Sequence, residues 1–377
     1  MRIGILCYPT FGGSGVVATE LGKALAELGH SIHFITYSHP VRLEHFKENV
    51  FYHEVTVADY PLFEYAPYES ALTSKLVDVA KFERLDLVHV HYAVPHASVA
   101  YMAKRILLDQ GIHLPFITTL HGTDITLVGK NASYSPVVTF GINQSDAVTS
   151  VSRSLRDDTY KNFHVSKEIH VIPNFIDLQR FSKLKKEHFR KAIAPDNERI
   201  IIHASNFRPV KRIDDVIAVF ERILLKMPAK LLLIGDGPER SRIEQLCRES
   251  VASDQIRFLG KLEAMEEVLS VGDLFMLPSD SESFGLAALE AMACQVPVIS
   301  SDTGGLPEVN IHGVTGFMSP VGDIEDMAAN ALKILSDDAA LASFKKRALE
   351  QAKRFDIKEI LPMYLSLYEQ VLSNPEA

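Results

Sequence analysis

Two doubly wound α/β domains in tandem are what this sequence predicts, and three observations carry that expectation. Short apolar runs recur along the chain without the polar alternation of half-exposed strands, as in parallel sheets covered on both faces. Each run is followed by a polar or glycine-rich turn and then an amphipathic helix, the order that builds parallel sheets. The pattern starts at Arg2 and restarts at Arg199, and 377 residues are long for a single hydrophobic core.

In the first half, Arg2 to Cys7 reads as a buried strand, and Gly12-Gly13-Ser14-Gly15 then opens the amphipathic helix VVATELGKALAELGH. These glycines do not fit the GxGxxG spacing of a dinucleotide fingerprint. The turn reads either as an anion-accepting loop at a helix N-terminus or as a tight turn that needs no ligand. Ser31 to Tyr37, Tyr52 to Val57, Leu87 to Tyr92, Phe116 to Gly122 and Ala147 to Ser152 are the next strands. Open parallel sheets bind ligands at the carboxyl ends of their strands. His91, Tyr92, Thr118, Thr119, His121 and Asp124 stand at such ends, and Arg153 follows the last of these strands. His170 to Asp177 is short and proline-broken, and marks the crossing between domains. The charged run after it, KLKKEHFRK (183–191), reads as a solvated helix.

In the second half, Arg199 to Phe207 is a buried strand with Asn206, Arg208 and Lys211 at its carboxyl end, and a helix follows from Asp214. Lys230 to Glu239 is strand, glycine turn and helix start, and Ile256 to Leu262 and Leu274 to Ser279 are two more strands. The closing FDIKEILPMYLSLYEQVL is an amphipathic helix suited to packing back onto the first domain. The expected domains are 1–173, joined by a C-terminal helix over 356–377, and 174–355.

Composition is ordinary for a globular protein, at 47% apolar and 23% charged residues, and nothing suggests disorder. A net charge of −9 argues against a general nucleic-acid or membrane-surface binder. Cys7, Cys247 and Cys294 sit apart in apolar segments, as buried free thiols of a reducing cytoplasm do. The start MRIGILCYP has too short an apolar run for a signal peptide. No run approaches the roughly 20 apolar residues of a spanning helix, so a soluble cytoplasmic protein is expected.

One stretch concentrates the chemistry. From Ser279 to Val309, Glu282 lies in a polar turn before Ser283-Phe284-Gly285, and Glu290 lies in an alanine- and leucine-rich helix that begins near Gly285. Val296 to Ser300 is a buried strand, with Thr303-Gly304-Gly305 at its carboxyl end. Eight helical positions separate two residues by about 12 Å. That is too far for the acid pair of a glycosidase, whose carboxylates stand roughly 5 to 9.5 Å apart. Holding vicinal hydroxyls suits these two acids better, with the N–H groups of Phe284, Gly285 and Leu286 suited to a phosphate. The alternative is that both are solvated surface acids.

With these residues in place, the chain resembles the retaining glycosyltransferases of family 4, which have the GT-B fold. The resemblance rests on the E-x7-E of ESFGLAALE (Glu282, Glu290), the Gly-rich first turn, THGTD, VIPN, a basic strand end before Lys211, GDGPE and GGLPE. It covers nearly the whole chain. E-x7-E is moderately specific and the ordered set strongly so. CYPTFGGSGVVATELG, HVHYAVPHA, TTLHGTDIT, NFID and HASNFRPVKR are closer still to the subgroup that glycosylates L-malate at the start of bacillithiol biosynthesis.

The resemblance implies two Rossmann-like domains facing across a cleft, the second holding the nucleotide sugar. It implies transfer of N-acetylglucosamine from UDP-N-acetylglucosamine to the hydroxyl of L-malate, with retention. By the same resemblance Glu290 holds the ribose hydroxyls and Glu282 those of the sugar. Ser283, Phe284, Gly285 and Leu286 lie at the sugar and diphosphate, Lys211 neutralises the diphosphate, and Gly13 and Asn206 complete that set. Gly260 and Lys261 lie beside the uracil, and His121 contacts the sugar's outer hydroxyls. The expected catalytic residues are Glu282, Lys211, Arg208 and His121. The expected acceptor residues are Ser14, Tyr92, Thr118, Thr119, Arg153 and Arg208.

Two positions depart from the family pattern. Asn206 stands where most relatives carry an arginine, which leaves Arg208 open between diphosphate and acceptor. Phe175 stands where many have glycine, a departure shared with the malate subgroup. There is no convincing DxD motif, so neither metal nor cofactor is expected. No carboxylate pair suits double displacement, and front-face substitution is preferred. The expected partners are the two small-molecule substrates, with no nucleic acid and no stable membrane association; a homodimer is left open. A UDP-sugar epimerase, a family 4 enzyme with another small-molecule or lipid acceptor, and an inert nucleotide-binding module are the alternatives.

Overall fold

The computed structural model of the chain describes residues 1–10, 12–57 and 64–373. Phe11 of the first glycine motif and residues 374–377 of the expected C-terminal helix lie outside the described residues. The chain forms two compact units, Met1–Asn174 with Ile357–Ala377, and Phe175–Asp356.

The first unit is built on seven strands: β1 (Arg2–Leu6), β2 (Ser31–Thr36), β3 (Val50–Glu54), β4 (Leu87–His91), β5 (Phe116–Leu120), β6 (Ala147–Ser150) and β7 (Ile169–Val171). They are ordered β3-β2-β1-β4-β5-β6-β7, and every pairing is parallel. β4, β5 and β6 are buried at every residue, as strands covered by helices on both faces must be. β3 lies two residues earlier than its sequence suggests. It is a half-exposed edge strand, and Ile32 N–H donates to Asn49 O (2.8 Å), which draws the pairing upstream.

The second unit has six strands: β8 (Arg199–Ser205), β9 (Ala229–Gly235), β10 (Ile256–Gly260), β11 (Leu274–Leu277), β12 (Val298–Ser301) and β13 (Gly316–Ser319). Their order is β10-β9-β8-β11-β12-β13, again all parallel. The helix Ile213–Leu224 shows why it packs where it does. Ile213, Val216, Ile217, Phe220 and Ile223 recur at helical spacing and are all buried in the core beside Ile201, Leu231 and Leu274. Each such side chain contributes about 1.5–3 kcal/mol by leaving water. β13 was not expected, and in the charged run only Glu187–Ile193 is helical, so Lys183 to Lys186 precede the helix.

The last helix, Ile357–Ser373, belongs to the first unit, where Tyr364 and Tyr368 are fully buried. All three cysteines are buried and free, and burial pushes their thiols up, to about 12 for Cys7 and Cys294 and about 11 for Cys247. Among the described residues no helix is long and apolar enough to cross a membrane.

Candidate active site

In each sheet the strand order reverses direction at one point, between β1 and β4 in the first unit and between β8 and β11 in the second. A crevice opens there outside the carboxyl ends of the strands. The expected residues fall largely into the loops that leave these four strands.

In the second unit the loop after β8 makes one tight turn, Pro209–Lys211, and the loop after β11 runs from Pro278 to Gly285. Asp280 N–H donates to Val210 O (2.9 Å), which ties the two loops together. Lys211 Nζ donates to Glu282 Oε1, forming an ion pair, and Ser279 Oγ donates to the same oxygen at 2.9 Å. Both contacts fall on Oε1, so Oε2 is the oxygen aimed away from them. Below them His203 is fully buried between Met276 O (2.9 Å) and Ser205 Oγ (2.8 Å). Burial holds its pKa down to about 4; Lys211 pushes the same way and Glu282 opposes. Arg212, which the sequence reading passed over, bonds Asp215 (2.6 Å) and Asp280 (3.1 Å) and braces both loops.

The Glu282 turn is locked by the glycines after β12. Gly305 N–H donates to Glu282 O (2.8 Å), and a Cβ on Gly304 would stand 2.0 Å from that oxygen. Gly285 caps the helix Leu286–Ala293 at φ +95°, a left-handed conformation that favours glycine. The first-turn N–H groups of this helix have no intrahelical acceptor, so they can meet an anion. Ser283 and Leu286 are partly exposed, whereas Phe284 is buried. Glu290, in the same helix, is only 7% exposed and adds to the upward push on the Cys294 thiol. Its burial removes the reading in which it is a solvated surface acid. Asn206 and Arg208 are exposed. Gly260 ends β10 at φ +69°, and exposed Lys261 lies 3.7 Å from Asp236.

In the first unit the helix Gly13–Glu27 starts within the glycine motif, since Val16 N–H donates to Gly12 O (3.2 Å). Gly13 is exposed in its first turn. Ser14 Oγ donates to Tyr92 Oη (3.1 Å), and Tyr92 is held at φ +86°. Around Tyr92 stand Tyr8 (ring centroids 5.3 Å apart) and His121 (5.4 Å). His91 Nδ1 and His121 Nε2 share a hydrogen bond of 2.8 Å, and His96 Nδ1 donates to His91 O at 2.5 Å. Burial holds His121 and His89 down to about 3 and His96 to about 4, and His91 lies well below its ordinary value, so the cluster is neutral. Nε2 of His91 and of His96 are buried without a partner. Asp124 accepts from the N–H groups of Ala93 (2.9 Å) and Gly122 (2.9 Å), and burial still pushes it up to about 6.

Thr118 and Thr119 require a correction. Both are fully buried, Thr118 bonded to Ser145 Oγ (2.8 Å) and Thr119 to His89 Nε2 (2.7 Å) and Thr149 Oγ1 (2.6 Å). Their hydroxyls serve the sheet and are not open to an acceptor. Arg153 is exposed and opens the helix Arg153–Asn162, capped by Ser152. Among the described residues one group could hold a metal ion, His33 on β2, His53 on β3 and Glu83 at the end of the helix Tyr68–Phe82, away from the switch point. His33 Nδ1 and His53 Nε2 already bond each other at 3.0 Å.

Comparison with known proteins identifies the family and the fold. Residues 11–180 match the family model described as Glycosyltransferase Family 4, and residues 185–351 that of Glycosyl transferases group 1. The chain is 46% identical over 376 residues to the N-acetyl-alpha-D-glucosaminyl L-malate synthase of Bacillus anthracis, covering 99% of this chain and 98% of that one. Among solved structures, Anabaena HepE in complex with UDP-glucose superposes with a TM-score of 0.81 at 20% identity, covering 98% of this chain and 100% of that one. The sucrose-phosphate synthase of Thermosynechococcus elongatus gives 0.80 at 23% identity, covering 99% of each chain. With two parallel Rossmann-like sheets and identity at this level along its whole length, the chain belongs to the family 4 glycosyltransferases of GT-B fold.

Proposed function

We propose that this glycosyltransferase moves N-acetylglucosamine from UDP-N-acetylglucosamine to the hydroxyl of L-malate, the first step of bacillithiol biosynthesis, with retention at the anomeric carbon and without a metal. The observation that carries the reading is the 46% identity over 99% of the chain to the Bacillus anthracis relative, whose name states that product.

The second unit supplies the donor chemistry in this reading. Glu290 takes the ribose hydroxyls, and Glu282 Oε2 a sugar hydroxyl while Oε1 keeps Lys211 in place. Lys211 and the N–H groups before Leu286 stabilise the charge that develops on the leaving diphosphate. Gly260 and Lys261 flank the base, with Gly13 and Asn206 reaching the donor. In the first unit Ser14 and Tyr92 offer hydroxyls to the acceptor and His121 a neutral imidazole to the sugar, with Arg153 and Arg208 as cations for malate. The new bond from the malate oxygen to the anomeric carbon forms on the face from which the phosphate oxygen departs, and that phosphate takes the hydroxyl proton. Positioning and electrostatics do the rest.

The test is mass-spectrometric and NMR identification of product after incubation with UDP-N-acetylglucosamine and a panel of hydroxy acids, with and without EDTA. An α-linked N-acetylglucosaminyl malate, formed equally in chelator, is expected. A product with neutral alcohols but none with malate would overturn the acceptor, an epimer formed without acceptor would overturn transfer, and rescue by magnesium after EDTA would overturn metal independence.

A further inference from the structure

The charged run that follows the chain's entry into the second unit has a setting of its own. At the amino ends of β8 and β11 a cavity of about 470 Å³ is lined by six cationic side chains against three carboxylates. β8 is seven residues long, so this end lies roughly 20 Å from the loop that carries Lys211. Asp273, its side chain 3% exposed, binds both Arg190 (2.7 Å) and Lys345 (2.7 Å), and also accepts from Ile200 N–H (3.0 Å). One carboxylate thus fixes two cations and leaves a surplus charge. Arg199 is paired with Asp338 (2.6 Å), but Lys183 and Lys185 have no ion pair among the described residues. Burial pushes the Lys183 ammonium down to about 8, with the nearby Lys345 adding to it and Asp273 opposing.

We propose that this cavity binds a phosphate-bearing small molecule, with Lys183 and Lys185 as its direct donors and Arg190 and Lys345 as fixed positive charge. The volume is that of a small-molecule pocket, larger than bare phosphate needs. Leu341 and Ala342 line it too and offer apolar contact to the carbon portion of an ester. Lys183 and Lys185 lie shortly after Phe175, where the chain enters the unit, and Lys345 lies on Asp338–Lys353, the helix before its exit at Asp356. A ligand here ties the unit's entry segment to its exit helix. This proposal does not depend on the identity of the glycosyl acceptor.

Calorimetric titration of the full chain with inorganic phosphate, and separately with glycerol 3-phosphate, tests it. Saturable binding is expected in the wild type and in Lys211→Ala, weakened at least 10-fold in Lys183→Gln/Lys185→Gln, whose turnover at saturating substrates stays within twofold of wild type. Tighter binding of the ester identifies a phosphorylated metabolite as the ligand, and tighter binding of inorganic phosphate identifies free phosphate. Absence of saturable binding, affinity unchanged in the double variant, or loss in Lys211→Ala in its place would overturn the site.

Discussion

The two units share a strand order around their switch points and differ in where they keep polar groups. In the first, polar residues are inside the sheet: His89 and His91 on β4, Thr118 and Thr119 on β5 and Thr149 on β6 are fully buried, Thr119 bonded to His89 and Thr149, Thr118 to Ser145 and His91 to His121. In the second, Ile200 to Ile202, Leu231 to Leu233 and Leu274 to Leu277 make the middle of the sheet apolar, with buried His203 as an exception, and the charge gathers in the loops beyond it, on Lys211, Arg212, Asp280 and Glu282. One scaffold therefore serves two electrostatic designs. A buried neutral network is vulnerable to protons, and a charged rim is vulnerable to the loss of a single partner or of the turn that presents it.

The contrast can be broken most forcefully at Lys211. Lys211→Ala removes the cation paired with Glu282, and turnover is expected to fall about 10²-fold or more, as when a preorganised charge facing a leaving group is lost. Steady-state rates within about threefold of wild type would move the catalytic charge elsewhere. Next comes Gly304→Ala. Its Cβ would stand 2.0 Å from Glu282 O at φ +58°, so a stability loss of about 2–4 kcal/mol in denaturant titration is expected. An unchanged midpoint would show that the turn re-forms without strain.

Acid sharpens the comparison from the other side. His89, His96 and His121 are depressed to between about 3 and about 4, so the folded first unit refuses protons that the unfolded chain accepts below about 6.5. Their contribution is fully present above that pH and is lost as pH falls toward 4. Asp124, raised to about 6, acts oppositely: the folded state takes its proton first, and that contribution is lost as pH rises to about 6. Several histidines outweigh one carboxyl, so the first unit should lose more stability than the second between pH 7.5 and 5, where only His203 among the second unit's histidines is comparably depressed. Hydrogen exchange resolved by unit would show it, and equal losses in both would contradict it. The smallest effect belongs to Ser279→Ala. It deletes one hydrogen bond to Glu282 Oε1 and should slow turnover only severalfold, about 1 kcal/mol; a loss as large as that of Lys211→Ala would assign Ser279 a further role.

Most strands were legible because a parallel strand covered on both faces is an uninterrupted apolar run, and Arg199 to Phe207 is a plain example. β13 was not, since four residues beginning with glycine carry no period, and β3 was misplaced because an edge strand has no buried signature. Lys211 and Glu282 could each be singled out, but not their ion pair. It spans 71 positions and depends on β8 lying beside β11, a neighbour relation that local pattern does not encode. Thr118 and Thr119 misled for a related reason. A hydroxyl near a strand's carboxyl end looks open in sequence, whereas here neighbours absorb it: His89 on β4 and Thr149 on β6 for Thr119, and Ser145, just before β6, for Thr118.

The final helix has a consequence for how the chain is made. The first sheet is complete by Val171, yet Tyr368, whose hydroxyl meets buried His89 Nδ1 at 2.7 Å, comes only after the whole second unit. At roughly 5–20 residues per second on the ribosome, the first sheet waits about 10 to 40 s with that face uncovered. The second unit, contiguous from Phe175 to Asp356, can close during the wait. A chain terminated just before Ile357 would thus carry a finished second unit and a first one in which His89 lacks its Tyr368 partner, so completion of the first unit waits on the second.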